Sequence, residues 1–164
     1  MISKTTLYNN RQPISKELTY LSRLYYGVFT RKLSALEIER YYYFLLVIKE
    51  GENKITPKEL ADKIDSDKVF VVKVLDYFYE RGLINRVVND ADRRQYFICL
   101  TKKAELLIPI IVKAFNETTE EAFRGIKKEE KEVFYKVIDS IKNNLLSLPS
   151  DEMKVNFKKI KNKK

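Results

Sequence analysis

Histidine and tryptophan are absent from this chain of 164 residues, and cysteine occurs once, at Cys99. Without histidine the commonest general base and the commonest metal ligand are both missing. A single thiol then leaves no basis for a zinc centre or a Cys–His nucleophile, and it cannot close an internal disulfide. Glycine and proline are also scarce, four of each, against average usage of roughly 7% and 5%. So few breakers favour long helices over a many-turned β fold. No apolar run approaches the ~18 residues of a membrane span. The opening stretch "MISKTTLYNNRQPISKEL" has no apolar signal-peptide core, so a cytoplasmic location with no membrane partner is expected. No glycine-rich phosphate loop occurs, and the carboxylate pairs Glu120–Glu121 and Glu129–Glu130 lie on lysine-rich helical stretches where solvation accounts for them. The chain is expected not to be an enzyme and to carry no cofactor and no metal.

What the sequence does hold is charge, unevenly placed. The formal net charge is +9. Lys4, Arg11 and Lys16 stand near the start with no acid among them, and six lysines fall within residues 149–164. The basic excess therefore sits largely at the two ends, and alone it is weak support for a nucleic-acid partner. The stretch 149–164 is expected to be a basic, disordered tail.

Between the ends, periodicity gives a sequence of elements. Ile14, Leu18, Leu21, Tyr25 and Val28 are spaced 4, 3, 4, 3, the pattern of a helix that meets another helix, and Pro13 stands just before it. A second helix is expected from about Leu36 to Glu50, ended by Gly51. "TPKE", Thr56 to Glu59, reads as a capping box with proline in the first turn of a short helix, Pro57 to Ile64. A longer helix follows, capped by Asp65, Ser66 or Asp67 and closed at Gly82. Two strands are expected over Leu83–Val88 and Gln95–Leu100. Thr101 caps a helix through about Phe123 that contains Pro109, where a kink is expected. A last helix carries Val133, Val137, Ile141 and Leu145 and stops at Pro149.

A short helix, a tight connection, a longer helix and then at once a hairpin make a winged helix–turn–helix. The second helix of such a pair enters the major groove of DNA while the hairpin reaches a neighbouring groove. Within "RVVNDADRRQYFICLT", residues 86–101, Arg93 and Arg94 fall at the hairpin tip, where a narrow minor groove would attract them. The expected fold class is mainly α with a small β-hairpin wing, a winged helix–turn–helix domain flanked by N- and C-terminal dimerisation helices. The divisions are an N-terminal dimerisation helix over 1–35, the winged region over 36–101, C-terminal dimerisation helices over 102–148, and the tail.

At these residues the sequence resembles the MarR family, the multiple-antibiotic-resistance-type transcriptional regulators. The likeness rests on Arg86, Asp92-Arg93-Arg94 and Leu100-Thr101 in the wing, on Glu59-Leu60-Ala61, on "ERGLINR" from Glu80 to Arg86, and on "FRGIKKEE" from Phe123 to Glu130. It implies a homodimer gripping a palindromic operator in double-stranded DNA, with Arg94 in the minor groove and Asp92 orienting it, and a repressor as the form of regulation. Phosphate contacts are expected from Lys58, Lys68, Lys73 and Arg86 and from the helix starts near Thr56 and Ser66. Base or groove readout is expected from Arg94 and from Val69, Phe70 and Lys73.

One departure stands out. Where the family places small hydroxyl residues facing DNA, this chain has Val69, Phe70 and Val72. Three accounts stay open: contact with thymine methyl groups, cover by another part of the protein, or a docking face for a partner protein. The last makes a winged-helix protein–protein interaction module, using the Val69–Val72 face, the alternative function. The family also binds small aromatic or carboxylic effectors, for which Tyr25, Tyr26 and Tyr42 would line a pocket. Cys99 falls in a wing strand and is expected to be structural, not a redox sensor.

Overall fold

A computed structural model describes residues 13–36, 38, 41–89 and 92–149. Six helices and one hairpin follow in order: α1 Ile14–Lys32, α2 Tyr42–Glu50, α3 Pro57–Lys63, α4 Lys68–Glu80, β1 Ile84–Val88, β2 Tyr96–Leu100, α5 Lys102–Ala122 and α6 Lys128–Leu146. The mainly helical winged-helix class is as the periodicity predicts. Residues 150–164, and with them nearly all of the basic tail, lie outside the described residues.

The chain divides into two compact units, and the division falls inside α5, between Ile111 and Val112. It does not fall after Thr101, where the end of the hairpin suggested a boundary. The first half of α5 supplies Ala104 and Ile111 to the interior, both fully buried, so this half completes the winged region's core.

In the unit that holds α1 and the second half of α5, the two helices meet through aromatic edges. Phe115 stands edge-on to Tyr25 and to Phe29, with ring centres 6.0 and 6.1 Å apart. The Tyr25 hydroxyl shares a 2.8 Å hydrogen bond with Thr119. At the same surface the Lys32 ammonium donates to Glu121 and Glu117, at 3.0 and 3.4 Å. Beyond α1, Leu36 bonds back to the Leu33 carbonyl in a 3-10 turn over Ser34–Leu36. The expected second helix is therefore shorter than its apolar pattern suggested, and α2 opens at Tyr42.

The winged unit is built around Leu45, Ile48, Leu60, Leu75, Phe78, Leu83, Ile84 and Ile98, all essentially without solvent contact. Burying each such side chain stabilises by about 1.5–3 kcal/mol. Its connections are chemically specified. Thr56 and Glu59 form the predicted capping box at α3. At the end of α4, Gly82 takes φ +63° and its amide bonds to the Tyr79 carbonyl, while the Leu83 amide bonds to that of Phe78. These two bonds make a Schellman closure, which requires a left-handed residue. The Thr101 hydroxyl accepts from the Ala104 amide at the start of α5, and α5 runs through Pro109 as one helix.

Candidate nucleic-acid interface

The site grows from α4 and the hairpin it feeds. The start of α4 is capped by Asp67, whose carboxylate accepts from the amides of Val69 and Phe70 at 2.8 and 3.1 Å. Of the three possible caps this is the one used. Ser66, just before it, is buried, and its hydroxyl has no hydrogen-bond partner among the described residues. Thr56 is also buried, its hydroxyl donating to the Glu59 carboxylate at 2.8 Å. The side chains of Thr56 and Ser66 are thus turned inward, and two amides of the α4 start are already satisfied by Asp67. Lys58, Lys68 and Lys73 are exposed.

The apolar start of α4 separates into two faces. Val71 and Val74 are buried, as a helical stripe requires. Phe70 turns inward as well: its ring stands edge-on to Tyr41 and Phe44, at 5.9 and 6.1 Å. It belongs to an aromatic cluster with Tyr77 and Phe78. Phe70, half-buried, therefore takes part in packing through aromatic edge contacts. What faces out is Val69, with 62% of its surface exposed, together with Lys68, Lys73 and Asp76, and with Val72 half-buried beside them.

The wing pairs antiparallel, Ile84 opposite Leu100 and Val88 opposite Tyr96. Its base is tied down twice. The Ile98 amide donates to the Ile55 carbonyl at 2.8 Å, an isolated bridge that adds one rung of a third strand. The Leu100 amide donates to the Asn53 side chain at 2.8 Å, with Asn53 at φ +61°. The Cys99 thiol lies against the Asn53 carbonyl at 3.1 Å, and burial pushes its pKa up, the reverse of an activated thiolate.

At the tip, Asp92 accepts from the Arg94 amide at 3.1 Å and from the Gln95 side chain at 2.8 Å. It thus fixes the backbone of Arg94 and leaves the guanidinium to point away. Both Arg93 and Arg94 are exposed.

Arg86 sits differently from its expected role as a phosphate contact. Its guanidinium is ion-paired with Asp76 of α4 and lies over the rings of Tyr79 and Tyr96, 5.3 Å from each centre. It joins helix to hairpin. Sequence reasoning missed Asp76, although Val69, Lys73 and Asp76, at steps of 4 and 3, trace one helical face.

Tyr42 is a core residue, with 4% of its surface exposed, and Tyr25 uses its hydroxyl on Thr119. Tyr26, on α1, is exposed and stands edge-on to Tyr25 at 6.0 Å.

No protein-family model matches the chain. Solved structures do resemble it. A transcriptional regulator designated PA3341 is 26% identical, aligning over 83% of this chain and the whole of its own, with a TM-score of 0.73. The MarR protein from Peptoclostridium difficile is 25% identical over 88% of this chain and 92% of that one, with a TM-score of 0.76. A cysteine-to-serine variant of MarR from E. coli, solved in complex with operator DNA, shares the fold at 19% identity, over 82% of this chain and 97% of its own, with a TM-score of 0.74.

Proposed function

The chain is a winged-helix protein of the MarR type, and on that premise we propose that it is a homodimeric DNA-binding transcriptional regulator. It acts as a repressor in the cytoplasm, on a palindromic operator. Recognition helix α4 enters the major groove, Arg94 with Arg93 beside it enters the adjoining minor groove, and Lys58, Lys68 and Lys73 contact phosphates. The observation that carries this reading is the hairpin tip. Asp92 accepts from a backbone amide and from Gln95, and both arginines are exposed, with no ion pair to an acid among the described residues. Arginine so placed suits the negative potential of a narrow minor groove.

Support for the dimer comes from unburied apolar stripes. Ile14, Leu18, Leu21 and Val28 on α1, and Val133, Val137 and Leu145 on α6, are all exposed in the single chain. None of the residues of α6 is buried in the single chain, so its apolar stripe is covered only by pairing with another surface.

The test is binding to mixed-sequence and genomic duplex DNA at two salt concentrations, for wild type and for Arg94→Ala. The expected result is selection of a palindrome, with log K falling by about 0.9 per neutralised phosphate for each tenfold rise in salt. Arg94→Ala should lose roughly 1–3 kcal/mol of the specific affinity. Salt-sensitive background binding alone, equal in the two proteins, would overturn the proposal.

A further inference from the structure

We propose that the outward face of α4 reads thymine, through packing of Val69 on the C5-methyl group in the major groove, and that Arg86 makes this possible by withdrawing Asp76 from the DNA. The inference rests on the DNA-binding reading above and names what its recognition helix selects.

The composition of the face leads to it. Along the outward arc from Lys68 to Asp76 there is no asparagine, glutamine, serine, threonine or arginine. The amide side chains that read adenine and the arginine that reads guanine are therefore missing from the helix, and lysine is the one guanine reader it keeps. What the arc offers a base edge is the branched apolar surface of Val69, Val72 beside it, and the ammonium groups of Lys68 and Lys73. The only apolar feature on a base-pair edge in the major groove is the methyl of thymine. The lysines on either side suit the phosphates that flank such a contact.

Two packing facts sharpen the choice. Phe70, the one bulky side chain at the start of the helix, is turned into the cluster with Tyr41 and Phe44, so it does not hold Val69 away from the floor of the groove. Val71 is buried, so the outward apolar surface is two valines and no broad patch of the kind that binds a partner protein. Asp76 is the only acid between Lys68 and Tyr79. Left free it would repel phosphates and accept from cytosine N4. Its ion pair with Arg86, which is itself held over Tyr79 and Tyr96, disfavours both roles. Arg86 is thus a positioning residue for specificity.

The experiment starts from the duplex selected by wild type and replaces each thymine in turn by deoxyuridine, which deletes the methyl group and nothing else. One methyl group is worth about fourfold in affinity. The expected result is one thymine per half-site whose replacement weakens wild-type binding by about that factor. Val69→Ala should be indifferent to the same replacement, and Arg94→Ala should keep the sensitivity. Arg86→Ala should gain tolerance for cytosine near the Asp76 position. Val69 is a surface residue, so Val69→Ala keeps the fold, which circular dichroism verifies. A selected duplex with no methyl-sensitive position overturns the inference while leaving the DNA-binding reading intact, and so does a Val69→Ala protein that keeps wild-type sensitivity. Failure to select any duplex overturns both and points to the protein-docking alternative.

Discussion

Replacing Arg86 by alanine removes one guanidinium that holds three groups. The ion pair with Asp76 involves side chains 32% and 50% exposed, so solvent screening limits it to about 0.2–1 kcal/mol. Each stacking contact, with Tyr79 and Tyr96 at 5.3 Å, contributes about 0.5–1 kcal/mol at a partly exposed site. One cation serves all three, so these do not simply add, and a total of about 1–2 kcal/mol follows. For a chain of this size that lowers Tm by roughly 3–6 °C. Asp76→Ala alone should cost only the ion-pair share. In the double variant the cost of losing Asp76 should vanish, since its partner is already gone. Thermal unfolding of the four proteins, at low salt and near 1 M salt, measures this. High salt should erase the Asp76 effect and leave most of the Arg86 effect, because stacking on rings is less screened than the ion pair. Arg86→Lys, which keeps the charge but not the planar group, should recover the first share and little of the second. Equal destabilisation by Asp76→Ala with and without Arg86 would refute the coupling. A thermally neutral Arg86→Ala would refute the brace as a whole.

Other outcomes are as direct. Gly82→Ala should destabilise by about 1–2 kcal/mol, because φ is +63° there and an added Cβ meets nothing within 4 Å, leaving only the backbone penalty; chemical denaturation reads it. Phe70→Ala should cost about 2–3 kcal/mol of stability, short of the roughly 3–5 kcal/mol of a fully buried aromatic, and leave the rank order of bound DNA sequences as in wild type. The Glu59 carboxyl is held below its ordinary value by the amide and hydroxyl of Thr56. A lowered folded pKa gives stability that is complete above the unfolded value and is lost as pH falls through the folded one. Glu59→Gln should therefore flatten part of the acid limb of a stability-versus-pH curve below about pH 4.5. With no histidine in the chain, the same curve should change little between about pH 6 and 8.

The elements that announced themselves in the sequence are those specified by local chemistry. The Thr56–Glu59 capping box, the Thr101 cap, the glycine at the end of α4 and the acidic turn before Arg93 each involve residues a few positions apart. Their bonds in the structure are the ones that spacing suggests. Less legible was whatever depends on a distant partner. The run Val69 to Val72 is apolar throughout, and only the rings of Tyr41 and Phe44 decide that Phe70 goes in and Val69 out. Arg86 looked like a phosphate ligand because its nearest opposite charge, Asp76, lies ten residues away on another element. Asp65, Ser66 and Asp67 are equally good caps by type, and the geometry of the turn selects the last. Ile55 gave no signal at all. A single bridging residue has no period to detect.

That bridge changes how the hairpin behaves as a mechanical object. Ile55 and Asn53 clamp β2 at Ile98 and Leu100, and Arg86 props β1 part-way along its length. Beyond these points, among the described residues, the two strands hold each other and the Asp92 turn. The wing is a cantilever with a fixed root, a prop at mid-span and a short free end carrying Arg93 and Arg94. On the proposed DNA-binding reading, such a wing would let the arginines follow grooves of slightly different width while the spacing between hairpin root and α4 stays constant. Salt that weakens the prop lengthens the free span, and a longer span bends at less cost. Discrimination between grooves of different width should then blunt with ionic strength faster than phosphate screening alone would make it.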